Sequence, residues 1–182
     1  ELLHNWQKGS YLQYFHRTNG TIDTVCRLTG FTVKDMYSDP EKVRNAFNQN
    51  DYIQKIIPSM LDYFETEHYI FTHGWIPCTP IRITSDKNEY AMIEDWRNAE
   101  SKAWDKARWI NGMEAAHSGV IENNKTIVCG HWHCSFGHSR YENDGGEFDN
   151  NPNFNPYYAR GVIALDACTP VSKKVNCIII ED

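Results

Sequence analysis

Between Thr126 and Cys134 a short apolar run, Thr-Ile-Val-Cys, stops at Gly130 and gives way at once to two histidines one residue apart, His131 and His133. A run rich in β-branched residues is stiff and belongs in a buried strand, so the residues just past its end are held in a defined place. Gly130 permits a bend or a close backbone approach there. Imidazoles at i and i+2 share one face if the strand runs on regularly, and they can still converge on an ion if it breaks into a loop. A second edge of the same kind lies upstream in Tyr69-Ile70-Phe71-Thr72-His73-Gly74, again apolar strand, histidine, glycine. Two such edges predict one site, with His73, His131 and His133 as metal ligands. Taken singly, each histidine also has an ordinary reading as a hydrogen-bonded structural residue.

The remainder reads as helix and strand together, an α/β protein. Asp39-Pro40-Glu41 opens a helix to about Asn48, with Asp39 as its cap and Pro40 at the first helical position. Asp51 caps another, in which Ile53, Ile56, Ile57, Met60, Leu61 and Phe64 recur at helical spacing as far as Glu67, with a kink or break at Pro58. From Glu94 to about His117, Trp96, Ala99, Ala103, Ala107, Ile110 and Met113 mark the buried stripe of a longer helix that breaks near Asn111-Gly112. Arg97 and Arg108 lie in that segment. A guanidinium can grip a phosphate through two hydrogen bonds, against which stands an ordinary ion-pair role.

Residues 135–160 are rich in Asn, Asp, Gly, Ser and Tyr, and a loop so long is either functional or a solvated excursion. Beside the histidines it reads as a lid or substrate-facing loop served by His138, Arg140 and Tyr141. Two last strands, Val162–Asp166 and Val175–Ile180, flank a Thr169-Pro170 turn and are expected to form a terminal hairpin.

At 182 residues and 41% hydrophobic content the chain can bury a sizeable core, and its length favours one domain, residues 1–182. A net charge of −6 leaves no basic footprint for nucleic acid. No run of 18 apolar residues and no signal-peptide pattern occurs, so neither a membrane span nor a leader is expected within it. Six cysteines without a C-x-x-C pair read as free thiols, which predicts a cytoplasmic protein; Cys134, beside the histidine pair, reads as packed.

The strand-His-Gly edge at Tyr69–Gly74 and the later Gly130-His131-Trp132-His133 resemble the last two metal motifs of calcineurin-like metallophosphoesterases. Asn19-Gly20-Thr21-Ile22-Asp23-Thr24, Ala107-Arg108-Trp109-Ile110-Asn111-Gly112-Met113 and Ile163-Ala164-Leu165-Asp166-Ala167-Cys168 resemble segments of the bacterial branch related to serine/threonine phosphatases. The likeness spans nearly the whole chain. The family's Asp-x-His, Gly-Asp-x-x-Asp-Arg and Gly-Asn-His-Glu motifs, which precede these segments, do not occur, and Glu1 is the residue expected directly after a Gly-Asn-His. The resemblance therefore implies the C-terminal portion of an α-β-β-α sandwich with mixed sheets and flanking helices, the N-terminal part of the same domain being needed to complete it.

It also implies a hydrolase for phosphomonoesters, with two divalent ions of manganese, iron or zinc activating a water. His73 and His131 would hold one ion and His133 would complete the other. Arg108 would act in catalysis, and Arg108, His138 and Arg140 would contact a phosphoprotein or small phosphoester. This chain alone would be inactive, lacking the bridging carboxylates. Two other classes stay open: a binding protein on the same fold, and a mononuclear histidine-ligated metalloenzyme.

Overall fold

Among the described residues, helices occupy most of the first third of the chain and the strands lie beyond it. The computed structural model describes residues 2–9, 15–18, 20–83 and 88–181, which fall into two units, 1–61 and 62–182. In the first unit, α1 (Leu2–Gln7), α2 (Phe15–Thr18), α3 (Thr21–Thr29), α4 (Val33–Ser38) and α5 (Pro40–Asn48) gather a core of Trp6, Ile22, Val25, Met36, Val43, Phe47 and Ile53. α3 starts after Gly20, whose φ of 80° is left-handed; Asn19, which opens the Asn-Gly segment, lies outside the described residues, as does Glu1. α4 opens on a capping box between Thr32 and Asp35. α5 is capped as expected, Asp39 accepting from the Lys42 N–H at 3.2 Å with Pro40 in the first turn.

The helix expected from Asp51 to Glu67 is shorter than its apolar spacing suggests. A π-turn, Tyr52–Ile56, runs into α6 (Ile57–Ser59), and Met60 is already extended. Pro58 lacks an N–H and its ring crowds the carbonyl four residues back, so the chain widens ahead of it and cannot sustain a helix beyond it.

The second unit holds strands β1 (Tyr63–Glu65), β2 (Tyr69–Thr72), β3 (Cys78–Ile83), β4 (Asn88–Met92), β5 (Thr126–His133), β6 (Tyr157–Ala159) and β7 (Val162–Asp166). Five of them form a mixed sheet in the order β1-β2-β5-β7-β6, and β3 and β4 make a separate ribbon. β2, β5 and β7 run parallel; β1 and β6 close the two edges antiparallel. Ile70, Ile127, Cys129, Val162, Ala164 and Tyr157 are all buried with Trp75, Trp96, Trp104 and Met113, and this shared burial sets the register. On the other face Phe64, Phe71, Val128, Ile163 and Tyr158 form one row across all five strands. Among the described residues no helix is long and apolar enough to cross a membrane.

Two further expectations are revised. The Glu94–His117 helix is a 3₁₀ turn at Trp96–Asn98, then α7 (Ser101–Ala107), then α8 (Gly112–His117). The break at Asn111 is as expected, its side-chain oxygen accepting from the Met113 and Glu114 N–H groups. The terminal hairpin does not form. β7 already has β5 on one side and β6 on the other, so no edge is left for residues 175–180. The chain instead leaves through α10 (Thr169–Ser172), which comes after α9 (Cys134–Gly137) in sequence, and a left-handed Lys173. All six cysteines are free.

Arg97 is committed to this scaffold. It forks onto Glu65 with two bonds of 2.9 and 2.6 Å, reaches Glu122 at 3.0 Å and lies over the Trp96 ring. The Arg97 hydrogen bonds, joined by Lys125, hold the Glu65 carboxyl down at about 2, against 4.5 ordinarily. A lowered carboxylate stabilises the fold above the unfolded value and loses that contribution as pH falls toward the folded one. Glu65→Gln is therefore expected to remove about 1–2 kcal/mol of stability at pH 7, after allowing for solvent screening, and to flatten acid unfolding between pH 4.5 and 2. Urea titrations across that range check it; parallel curves for the two proteins contradict it.

Gly74 permits the close approach that joins β2 to α7. A Cβ there would sit 2.5 Å from the Ala107 carbonyl oxygen, the same atom that accepts from the Trp75 N–H at 3.0 Å. Gly74→Ala is expected to cost about 2–3 kcal/mol in urea denaturation, because backbone rather than a side-chain tip must move. A loss below about 0.5 kcal/mol would show that the contact yields.

Candidate metal centre

Because β2, β5 and β7 are parallel, their carboxyl ends line one edge of the sheet. His73 comes directly after β2, His131 and His133 end β5, and Asp166 ends β7. Open parallel sheets present their ligand sites at this edge. The Gly130 N–H donates to the His73 carbonyl at 2.9 Å, locking the two histidine-bearing turns together. The His73 and His131 rings lie 5.1 Å apart between centroids, tilted by 54°, and the Trp109 ring meets His131 edge-on at 5.1 Å.

His131 has φ 65°, in the left-handed region that a residue with a Cβ occupies at a cost of about 1 kcal/mol or more. The β5–β7 pairing shifts register between Cys129 and His133 at the same place. β5 is therefore neither a regular strand nor a free loop there. The bulge breaks the alternation of side chains and gives the two histidines different neighbours.

His133 turns to the loop, its Nε2 2.8 Å from Glu147 Oε1 and its ring 4.4 Å from that of Phe148. The Ser135 hydroxyl holds the Glu147 carbonyl at 2.6 Å. The structure thus brings together two of the three expected ligands and ties the third to a carboxylate.

The other expected site residues are engaged elsewhere. Arg108 gives its two terminal nitrogens to Asp62 and Asp105, so gripping a phosphate would mean releasing one or both. His138 is buried and points into its own loop, toward Glu142 and the Asn155 carbonyl. Tyr141 stacks on His117 at 3.6 Å, and Arg140 is exposed on the π-turn His138–Glu142.

Asp166 and Glu147 also stand beside these histidines, and neither is expected there from the sequence. Asp166 acts electrostatically on both His73 and His131, and its Oδ1 accepts from the Cys168 N–H at 2.7 Å. Its place at the end of the strand beside β5 is the signal that could have found it. Glu147 carries no such signal, since only the folded loop delivers it to His133.

His73 is open to solvent on one side, yet flanking protein strips enough hydration to lower its basicity, opposed by Asp166 and aided by Arg108. Lost hydration likewise lowers His131, with further lowering from His73 and opposition from Asp166. Both rings are therefore less readily protonated than a free imidazole. Two imidazoles whose rings lie 5.1 Å apart suit a borderline divalent ion as a pair, but Asp166 does not join them as a third donor within 4.8 Å. No protein-family model, curated protein or solved structure matches the chain.

Metal-free protein followed by histidine NMR should show both midpoints below the ordinary 6.5, and Asp166→Asn should lower them further, since the carboxylate opposes the drop. The stability linked to these lowered groups is complete above 6.5 and is lost as acid protonates them. Midpoints at or above 6.5, or indifferent to Asp166→Asn, contradict the arrangement.

Proposed function

We propose that this chain carries the C-terminal ligands of a metal-dependent phosphoesterase, a hydrolase of phosphomonoesters on an α-β-β-α sandwich. The observation that carries the reading is the pairing of His73 with His131 at the carboxyl ends of adjacent parallel strands. The resemblance of the surrounding segments to calcineurin-like enzymes selects phosphoryl transfer among the chemistries such a pair can serve.

In this reading His73 and His131 give lone pairs to one ion, with Asp166 close enough to bias them. His133 serves a second ion, its ring turned and its tautomer set by Glu147, as an outer-shell carboxylate does for a ligating histidine. Bound divalent ions would supply charge neutralisation for the phosphoryl oxygens and an acidified water. Arg108, held by Asp62 and Asp105 at rest, exchanges one of those partners for the substrate phosphate. The remaining carboxylate ligands are assigned, by the same resemblance, to the preceding part of the domain. The substrate is a phosphoprotein or a small phosphoester.

The His133–Glu147 bond also bears on a second reading, a mononuclear centre of His73, His131 and His133 with a carboxylate, for which Glu147 stands beside His133. X-ray absorption separates the two, since only a dinuclear centre shows a metal–metal vector at about 3.5–4 Å. In the full-length protein, manganese-dependent hydrolysis of p-nitrophenyl phosphate is expected, and His131→Ala should lower kcat/KM by well over tenfold. A loss of less than tenfold would refute the assignment.

A further inference from the structure

We propose a separate cation site at His138, Glu142 and Asp144, which takes one divalent ion of the zinc class and clamps the 138–155 loop. It is independent of the phosphoesterase reading. These three residues offer ligand atoms that all lie within 4.8 Å of one another. The π-turn puts Glu142 one turn beyond His138, and Asn143, at φ 54°, reverses the chain so that Asp144 returns to the same point. The Asp144 N–H donates to the His138 carbonyl at 3.1 Å and closes that turn.

The hydrogen bonds around the imidazole point to a cation. His138 Nε2 lies 3.1 Å from the main-chain carbonyl of Asn155, which can only accept, so Nε2 carries the hydrogen. In the neutral ring Nδ1 is then a bare lone pair, yet it faces Glu142 Oε2 at 2.6 Å. Two acceptors so close need a hydrogen or a metal ion between them.

The surroundings match a ligand set. A metal-bound histidine characteristically gives its other N–H to a carbonyl, as His138 does, and ligating carboxylates are themselves hydrogen-bonded. Asp144 Oδ2 accepts from Asn153 Nδ2 at 2.6 Å. Zinc with bonds near 2.0–2.1 Å sets neighbouring ligand atoms about 3.3 Å apart in a tetrahedron, so Nδ1 and Oε2 need to part by well under 1 Å. Asp144 supplies the third ligand and water the fourth.

The ion would do more than staple a turn. The same loop carries Glu147, which bonds His133 and is held through its carbonyl by Ser135. Fixing the loop at its start therefore fixes the carboxylate that orients His133.

Zinc binding to the intact chain, by calorimetry and by metal analysis after dialysis, tests the proposal. Glu142 and Asp144 are exposed, so the double variant Glu142→Gln/Asp144→Asn leaves the core untouched. It should retain one fewer zinc per chain, whereas His73→Ala/His131→Ala should retain this ion whatever happens at the other centre. Zinc should also slow proteolytic cleavage within 143–153 at least fivefold in the wild type and not in the double variant. Equal zinc content in wild type and double variant, or cleavage insensitive to zinc in both, would overturn it.

Discussion

The parallel pairing of β2, β5 and β7 is the constraint that shapes the rest of this site. Ile70, Ile127, Cys129, Val162 and Ala164 all turn to one buried face, and slipping any strand by one residue would send its apolar set to the wrong side. With the register so determined, three strands must end along one edge. Histidines and an aspartate that lie far apart in the sequence become neighbours there because hydrophobic burial has no other arrangement to offer. The core thus decides which strand ends, and with them His73, His131 and Asp166, lie along that edge.

The bulge in β5 then separates tasks that a regular strand would have merged. A residue with a Cβ at φ 65° is strained, and such strain persists only where the surroundings hold it. Here the Gly130 N–H to the His73 carbonyl, the Trp109 edge and the β7 register on either side do so. The outcome is two imidazoles in different settings two residues apart. One faces a second imidazole where it is partly dehydrated; the other is held by a loop carboxylate.

Much of this is legible in the sequence where a local signal coincides with a packing demand. The His73 and His131 edges are visible because β-branched runs ending in His-Gly and Gly-His mark stiff strands with a turn. The Asp39-Pro40 helix start and the Asn111 break are visible because capping is local. Two expectations fail for other reasons. The apolar spacing through Phe64 does not reveal that Pro58 ends the helix, after which Phe64 belongs to an edge strand. The Val175–Ile180 strand would need an edge of β7 that Tyr157–Ala159 already occupies. Asp166 and Glu147 escape for a similar reason, since register brings the first to the histidines and loop closure brings the second. Arg108 shows only its guanidinium in the sequence, while its partner Asp62 is remote along the chain.

A shared ion requires His73 and His131 to act as one unit in binding it. A double-mutant cycle on zinc affinity, using His73→Ala, His131→Ala and the double variant in metal-stripped protein that also carries Glu142→Gln/Asp144→Asn to remove the loop site, tests it. Two ligands to one ion predict strong non-additivity, the double variant binding hardly more weakly than either single one. Losses that add, each substitution weakening binding by the same factor whether or not the other is present, would contradict a shared ion.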